Sequence, residues 1–402
     1  MKKLLQINSV VNSGSTGRIA EEIGQTAIAA GWESYIAYGR NNRSSQSELI
    51  KIGNDWDIWM HGLQTRLFDQ HGLGSKSATR ELIGKIDKIK PDIIHLHNIH
   101  GYYINIEILF NYLQETNIPV VWTFHDCWPI TGHCSHFTFV GCEKWKNQCF
   151  SCPQKTSYPA SWLIDRSEQN FILKKQLFTS LSNLTLVPVS EWLSGILKES
   201  FLHNYPIKVI HNGINTDVFK PSAGDAFRTK HHLENKFILL GVASIWSSKK
   251  GLKDFIALNN LLDNDYQIVL VGLTKKQIEQ LPDNMLGIER TESVEALAEI
   301  YAAADIVLNL SYEETFGLTT VEGFACGTPV IVYNATASPE LIDDSTGLVV
   351  EPGNIKGLIM AINQIKEKGK QSYTEVCVNR AHQLYRKEDR YREYIELYES
   401  LL

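Results

Sequence analysis

Two α/β units, each a parallel sheet layered with helices, are what this amino-acid sequence predicts. Three observations carry that expectation. The chain has 402 residues, too long for one ordinary core and suited to two domains of about 200 residues each. Short β-branched runs alternate with helical patterns along the first half, which implies parallel βαβ units. The alternation then restarts at Lys236, after a stretch with turn chemistry and no periodicity, Phe219-Lys-Pro-Ser-Ala-Gly-Asp225.

In the first half the predicted strands are Lys3–Asn8, Glu33–Tyr38, Ile93–His97, Val120–Phe124, Thr185–Val189 and Lys208–Ile210. In the second they are Lys236–Ser244, Gln267–Gly272, Ile306–Leu310 and Pro329–Tyr333. Each half reads as a doubly wound, Rossmann-like sheet. The linker places an N-terminal domain at 1–219, with a cysteine-rich insertion at about 127–162, and a second domain at 220–384. Arg380–Leu402 reads as one charged helix carrying Tyr385, Tyr391, Tyr394, Leu397 and Tyr398. The sequence shows no internal repeat and no low-complexity tract.

With 43% hydrophobic and 21% charged residues the composition is that of a soluble globular protein. No apolar run approaches the roughly 18 residues that span a bilayer. Met1-Lys-Lys-Leu-Leu-Gln-Ile-Asn8 lacks the long apolar region of a signal peptide and reads as a first strand, so the expected location is cytoplasmic. Residues 1–200 carry 19 Lys+Arg against 18 Asp+Glu, and residues 201–402 carry 20 against 27, so neither half has the basic excess of a nucleic-acid binder. The first half holds 8 of the 13 histidines and is the better candidate for meeting an anionic acceptor or a membrane surface.

The most informative run is Ser311-Tyr-Glu-Glu-Thr-Phe-Gly-Leu-Thr-Thr-Val-Glu322, leading into Gly323-Phe-Ala-Cys-Gly-Thr-Pro-Val330. It follows a buried-strand pattern and precedes a helical one, so it sits on a strand-to-helix turn. There the N–H groups of Phe316, Gly317, Leu318 and Thr319 would point outward with the positive end of the helix dipole and favour a phosphate. Gly317 lets the backbone approach a ligand. Glu322, one turn along, would accept from a diol such as a ribose, and Glu314 stands before the turn. Two carboxylates around an anion site fit a sugar nucleotide better than a free anion.

Other segments carry chemistry at predicted strand ends. Ser13-Gly-Ser-Thr-Gly-Arg18 opens a helix after the first strand; Gly14 and Arg18 would serve a phosphate or an acceptor, or the serine and threonine would cap the helix. Thr123-Phe-His-Asp126 puts His125 at the C-terminal edge of a parallel strand, where α/β sheets bind ligands. His95, His97 and His100 read as lining the same cleft, with His95 and His97 on one face and metal binding the lesser reading. Asn212-Gly213 reads as a structural turn with positive φ. Cys134, Cys142, Cys149 and Cys152, with Cys127, His133 and His136 nearby, offer either a structural zinc site or free packed thiols. Trp128, Trp145, Phe150, Tyr158 and Trp162 add aromatic surface that could stack on a sugar, touch a membrane or form the loop's own core.

The two glutamates Glu314 and Glu322, with seven residues between them, together with Phe316-Gly317 and Gly327-Thr-Pro-Val330, resemble the signature of retaining GT-B glycosyltransferases of family GT4. The cysteine segment, with its Trp145-Lys146 pair, is similar to segments of GT4 enzymes of bacterial capsule, colanic-acid and exopolysaccharide assembly. The resemblance covers nearly the whole chain. It implies a GT-B fold, two Rossmann-like domains facing across a cleft, with a final helix, 385–402, crossing back to the N-terminal domain. It implies a hexosyltransferase-type enzyme (EC 2.4) moving a sugar from a nucleotide donor, a UDP-sugar, to a saccharide carried on a lipid at the inner face of the membrane.

By the same resemblance Glu322 binds the ribose, Glu314 the sugar hydroxyls, and Lys250 with the N–H groups of 316–319 the diphosphate. His125 orients the sugar, and Gly14 and Arg18 close on the donor. The family's arginine after the first strand of the second domain is missing; Ser244 stands there, and Lys249 would share its charge. Gly272 and Arg290 border the base and sugar. No Asp-x-Asp motif stands out at a strand end, so no catalytic metal is expected. The alternatives are a catalytically silent nucleotide-sugar-binding subunit and a GT-B sugar-nucleotide epimerase.

Overall fold

The computed structural model describes residues 1–402. The chain divides into two compact units, residues 1–211 with 388–402, and residues 212–387. The division falls at His211 and Asn212 rather than in the 219–225 linker. Residues before that linker are held by the second unit: Ile214 donates its N–H to Tyr385 O at 2.8 Å, and the Phe219 ring meets Tyr301 edge-on at 6.0 Å.

In the first unit the elements run β1 Lys3–Asn8, α1 Gly14–Ala29, β2 Glu33–Tyr38, β3 Glu48–Lys51, α2 Asp55–Phe68, α3 Lys76–Ile89, β4 Ile93–Leu96, α4 Ile106–Glu115, β5 Val120–Phe124, α5 Ser167–Phe178, β6 Leu184–Pro188 and α6 Glu191–Glu199. Their sheet has the order β3-β2-β1-β4-β5-β6, parallel throughout. The order reverses between β1 and β4, which puts a ligand crevice at the C-terminal ends of those strands and their neighbours. Every residue of β4, β5 and β6 is buried, as in parallel sheets covered on both faces.

The second unit runs α7 Asp225–Lys230, β7 Phe237–Val242, α8 Leu252–Asn259, β8 Tyr266–Val271, α9 Lys275–Ile278, β9 Met285–Ile288, α10 Val294–Ala303, β10 Ile306–Asn309, α11 Leu318–Ala325, β11 Val330–Tyr333, β12 Gly347–Val350, α12 Ile355–Lys368 and α13 Gln371–Leu384. Its parallel sheet has the order β12-β11-β10-β7-β8-β9, reversing between β7 and β10. The helix α14, Lys387–Leu401, returns to the first unit. Its Tyr391, Tyr394, Leu397 and Tyr398 join Leu4, Ile19, Ile23, Trp32, Val121 and Val187 in one buried cluster.

Three expectations differ from the fold. The helix predicted over 380–402 is broken at Tyr385-Arg386, because that segment pairs with Ile214: Lys387 N–H donates to Ile214 O at 3.0 Å. Asn212 and Gly213 do not have positive φ. Gly213 is needed for space instead, since a Cβ there would sit 2.4 Å from Lys387 Cα. The strand predicted at 208–210 lies along β6 through Lys208 N–H to Leu186 O at 3.0 Å and Ile210 N–H to Pro188 O at 3.2 Å, but only an isolated bridge, Leu186 to Ile207, forms. No helix is long and apolar enough to cross a membrane.

Candidate active site

In the second unit the Ser311–Val330 run forms the turn between β10 and α11. Gly317 precedes the helix with φ +104°, a conformation that L side chains rarely adopt, and a Cβ there would come 3.2 Å from Leu341 Cδ1. No side chain caps the helix. Thr320 N–H bonds back to Gly317 O at 3.0 Å, so the N–H groups ahead of it, at Leu318 and Thr319, belong to the helix start. Phe316 is buried against Tyr385, and Glu314 N–H donates to Thr336 Oγ1 at 2.8 Å. Those two contacts hold the loop on its inner side.

Opposite the turn, a 3-10 segment at Ser248–Lys250 presents two lysines to the two adjacent glutamates. Lys249 Nζ is 2.7 Å from Glu313 Oε2 and Lys250 Nζ is 2.5 Å from Glu314 Oε1. Tyr312 N–H donates to Lys249 O at 2.8 Å, tying the two loops along their backbones. Gly251 makes this approach possible: a Cβ there would lie 2.4 Å from Leu310 O. Glu313 is buried while Glu314 is half-buried, so only the Lys250–Glu314 pair has solvent access at its carboxylate.

Glu322 is buried in α11, and its Oε2 accepts from the Tyr301 hydroxyl at 2.8 Å. At the tips of β7 and β8, Gly272 has φ +97° and a Cβ on it would overlap Ala243 O at 1.7 Å. Trp246 Nε1–H donates to Val271 O at 2.9 Å and closes the same corner. Ser244 and Arg290 are exposed. The turn therefore gathers Glu314, Lys249, Lys250 and Glu322 around β10, with Gly272 one strand beyond β7, whereas Arg290 lies past the edge strand β9.

In the first unit Gly14 is the first residue of α1, with φ +64° and open space around it. Ser13 makes no side-chain cap, so the capping reading fails for it, and Arg18 is half-buried on the second turn. His125 follows β5 and is half-buried; burial drives its imidazole down to about 4, so it is neutral at physiological pH. His95 and His97 do not line a cleft. Both are buried beneath it, His95 between Tyr398 and Thr123 at 2.6 and 2.7 Å, and His97 between Gln6 and His125 at 3.0 and 3.1 Å. His100 bonds Asp126 Oδ2 at 2.9 Å. Burial pushes Asp126 up, but His100 and the Trp128 N–H outweigh it and hold the carboxyl at about 2.

Cys134, Cys142, Cys149 and Cys152 are free thiols that line one cavity of ≈ 10 Å³ with Phe137, Trp145 and His133. Cys134 and Cys152 share a hydrogen bond that raises the first thiol and lowers the second to about 6. No group of three or more His, Cys, Asp or Glu side chains is arranged to hold a metal ion in this structure. Lys174 is buried beside them, donating to Trp128 O at 2.8 Å and Thr131 O at 3.0 Å, and burial lowers it to about 7.

Tyr301, Glu313 and Thr336 were not anticipated as site residues. The doubled pattern Lys249-Lys250 against Glu313-Glu314 was the available signal for Glu313. Tyr301 and Thr336 reach the site through tertiary packing and carry no local signal.

Residues 16–218 match the family model for glycosyltransferase family 4, and residues 236–368 match that for glycosyl transferases group 1. The putative colanic acid biosynthesis glycosyl transferase WcaC of Escherichia coli K12 is 28% identical over 227 residues, 53% of this chain and 54% of that protein. The chain thus spans about half the length of the curated relatives it matches first. Among solved structures, sucrose-phosphate synthase from Thermosynechococcus elongatus superimposes with a TM-score of 0.75 at 18% identity, covering 100% of this chain and 99% of that one. Anabaena Alr3699/HepE in complex with UDP-glucose gives 0.68 at 15% identity, covering 100% of both. The fold is GT-B, and, with that family model matching half of its residues, the chain belongs to glycosyltransferase family 4.

Proposed function

We propose that this protein transfers a sugar, with retention of configuration, from a UDP-sugar to a hydroxyl of a lipid-linked saccharide in bacterial surface polysaccharide synthesis. The observation that carries the reading is the Lys250–Glu314 pair, 2.5 Å apart, beside the uncapped start of α11 with Glu322 within that helix. A diphosphate at the helix start meets N–H groups and the two lysines, and Lys250 then exchanges its carboxylate partner for the departing phosphate. Glu314 is thereby released to the sugar hydroxyls, and Glu322 takes the ribose. His125, Gly14 and Arg18 enter on the family's pattern. No step is assigned to a metal ion.

The donor class draws support from the UDP-glucose bound by the Anabaena protein, and polysaccharide synthesis from the name of the Escherichia coli relative. Peripheral contact with a membrane follows from a lipid-linked acceptor. A panel of UDP-, GDP- and ADP-sugars, read by the shift in melting temperature, tests the donor: one nucleotide class should stabilise the protein by mass action. No shift with any of them would sink the reading.

A second reading is a silent nucleotide-sugar-binding subunit, favoured by exposed Ser244 where the family carries arginine. Donor binding without UDP release, in the presence of a lipid-linked acceptor, would select it.

A further inference from the structure

Hydrogen bonds beneath the C-terminal ends of β1, β4 and β5 fix the proton positions of three side chains in series. Gln6 Nε2 donates to Ala20 O at 2.8 Å. A carbonyl only accepts, so the amide is oriented, with Oε1 turned the other way. His97 Nε2 lies 3.0 Å from that Oε1. An amide oxygen cannot donate, so His97 carries its proton on Nε2 and, as a neutral imidazole, keeps a lone pair on Nδ1. His97 Nδ1 lies 3.1 Å from His125 Nε2, and that hydrogen bond exists only if His125 is protonated there.

His95 leaves this order undisturbed. Its ring lies 4.0 Å from that of His97 and tilted to it, and is engaged at both nitrogens by Tyr398 and Thr123. Burial holds His95 and His97 well below the ordinary imidazole range, and His125 at about 4, so none of the three carries a second proton near neutral pH.

We infer that Gln6 and His97 are positioning residues that hold His125 as its Nε2–H tautomer, so that its Nδ1 accepts a hydrogen bond and does not donate one. Towards the donor this rests on the proposed reading of His125 as the group that orients the sugar. A hydroxyl then meets His125 as a donor, and a sugar lacking that hydroxyl, or offering only an acceptor there, is disfavoured. The tautomer itself does not depend on what binds.

Long-range proton–nitrogen NMR on the full chain, labelled with ¹⁵N-histidine at neutral pH, reads it directly, with His125 assigned from the signals lost in His125→Gln. Wild type should show a protonated Nε2 and a bare Nδ1. A proton on Nδ1 overturns the inference. His97→Asn can present an amide oxygen towards the position of Nδ1 and should keep the pattern, whereas His97→Leu should spread His125 over both tautomers. An unchanged His125 in His97→Leu removes the positioning role. With UDP-glucose as probe donor, His97→Leu should lower kcat several-fold with little change in KM, and His97→Asn should restore most of it. Because the tautomer is read without donor, a wild type inert towards UDP-glucose counts against the glycosyl-transfer reading alone.

Discussion

The Tyr301 hydroxyl donates to Glu322 across 2.8 Å, a buried tie from α10 to α11. It locks the carboxylate that the proposed mechanism gives to the ribose. Glu322→Ala should abolish the donor-induced shift in melting temperature. Tyr301→Phe removes one hydrogen bond of about 1 kcal/mol and should weaken donor binding about fivefold, measured by calorimetric titration. Equal donor binding by Glu322→Ala and wild type would remove the ribose role.

Lys250→Ala should cut kcat by about a hundredfold or more, the scale at which a fixed group stabilising developing charge contributes. Its melting temperature should barely move, because a partly exposed ion pair contributes at most about 1 kcal/mol. Steady-state UDP release with matched thermal scans separates the two effects. A loss of stability in proportion to the loss of rate would recast the pair as structural.

Stability should fall as pH drops from about 6.5 towards 4. Burial lowers His61 and His125 to about 4 and holds His71, His95 and His97 well below the ordinary value. Through that window the unfolded chain takes up protons that the folded chain refuses. Each such histidine then costs about 1.4 kcal/mol per pH unit. His133 works in the opposite sense. Burial lowers it, but Asp69 at 2.6 Å outweighs burial and raises it, so it adds stability below its unfolded pKa. His211 and His231 are lowered by burial as well, so one group against seven leaves a net loss, and urea midpoints that stay level between about pH 7 and 5 would contradict it.

Tyr398→Phe should destabilise the first unit by about 1–3 kcal/mol, since it leaves the buried His95 Nδ1 without its partner at 2.6 Å. The decrease should appear in urea unfolding of the whole chain. No decrease would mean that the Tyr398 hydroxyl contributes nothing to the docking of helix α14.

The legible parts of this molecule were those whose pattern is local. The strands β1, β2 and β5 have the predicted bounds, because parallel strands covered on both faces carry a run of mostly apolar, buried residues. The edge strands β3, β9 and β12 were missed: one partner each and a partly exposed face leave Glu48, Lys51 and Gly347 where a run of Val and Ile would be expected. In the site, Glu314, Glu322, Lys250 and Gly317 announce themselves by spacing at a strand-to-helix turn. Tyr301, Thr336 and Gln6 act through partners 21, 22 and 91 residues away, so no window of sequence contains both ends of the interaction.

Helix α14 gives the chain a time order. Tyr391, Tyr394, Ile395, Leu397 and Tyr398 complete a core whose other members lie at residues 4–210, and the whole of residues 212–387 intervenes. At about 5–20 residues per second, a ribosome takes tens of seconds between the two parts. During that interval the floor beneath His95 and Thr123 is open, and it closes only after residue 387 has completed the second unit. The later-made unit can therefore mature first, and a nascent chain released before residue 388 would present the earlier-made unit to chaperones with apolar surface bare.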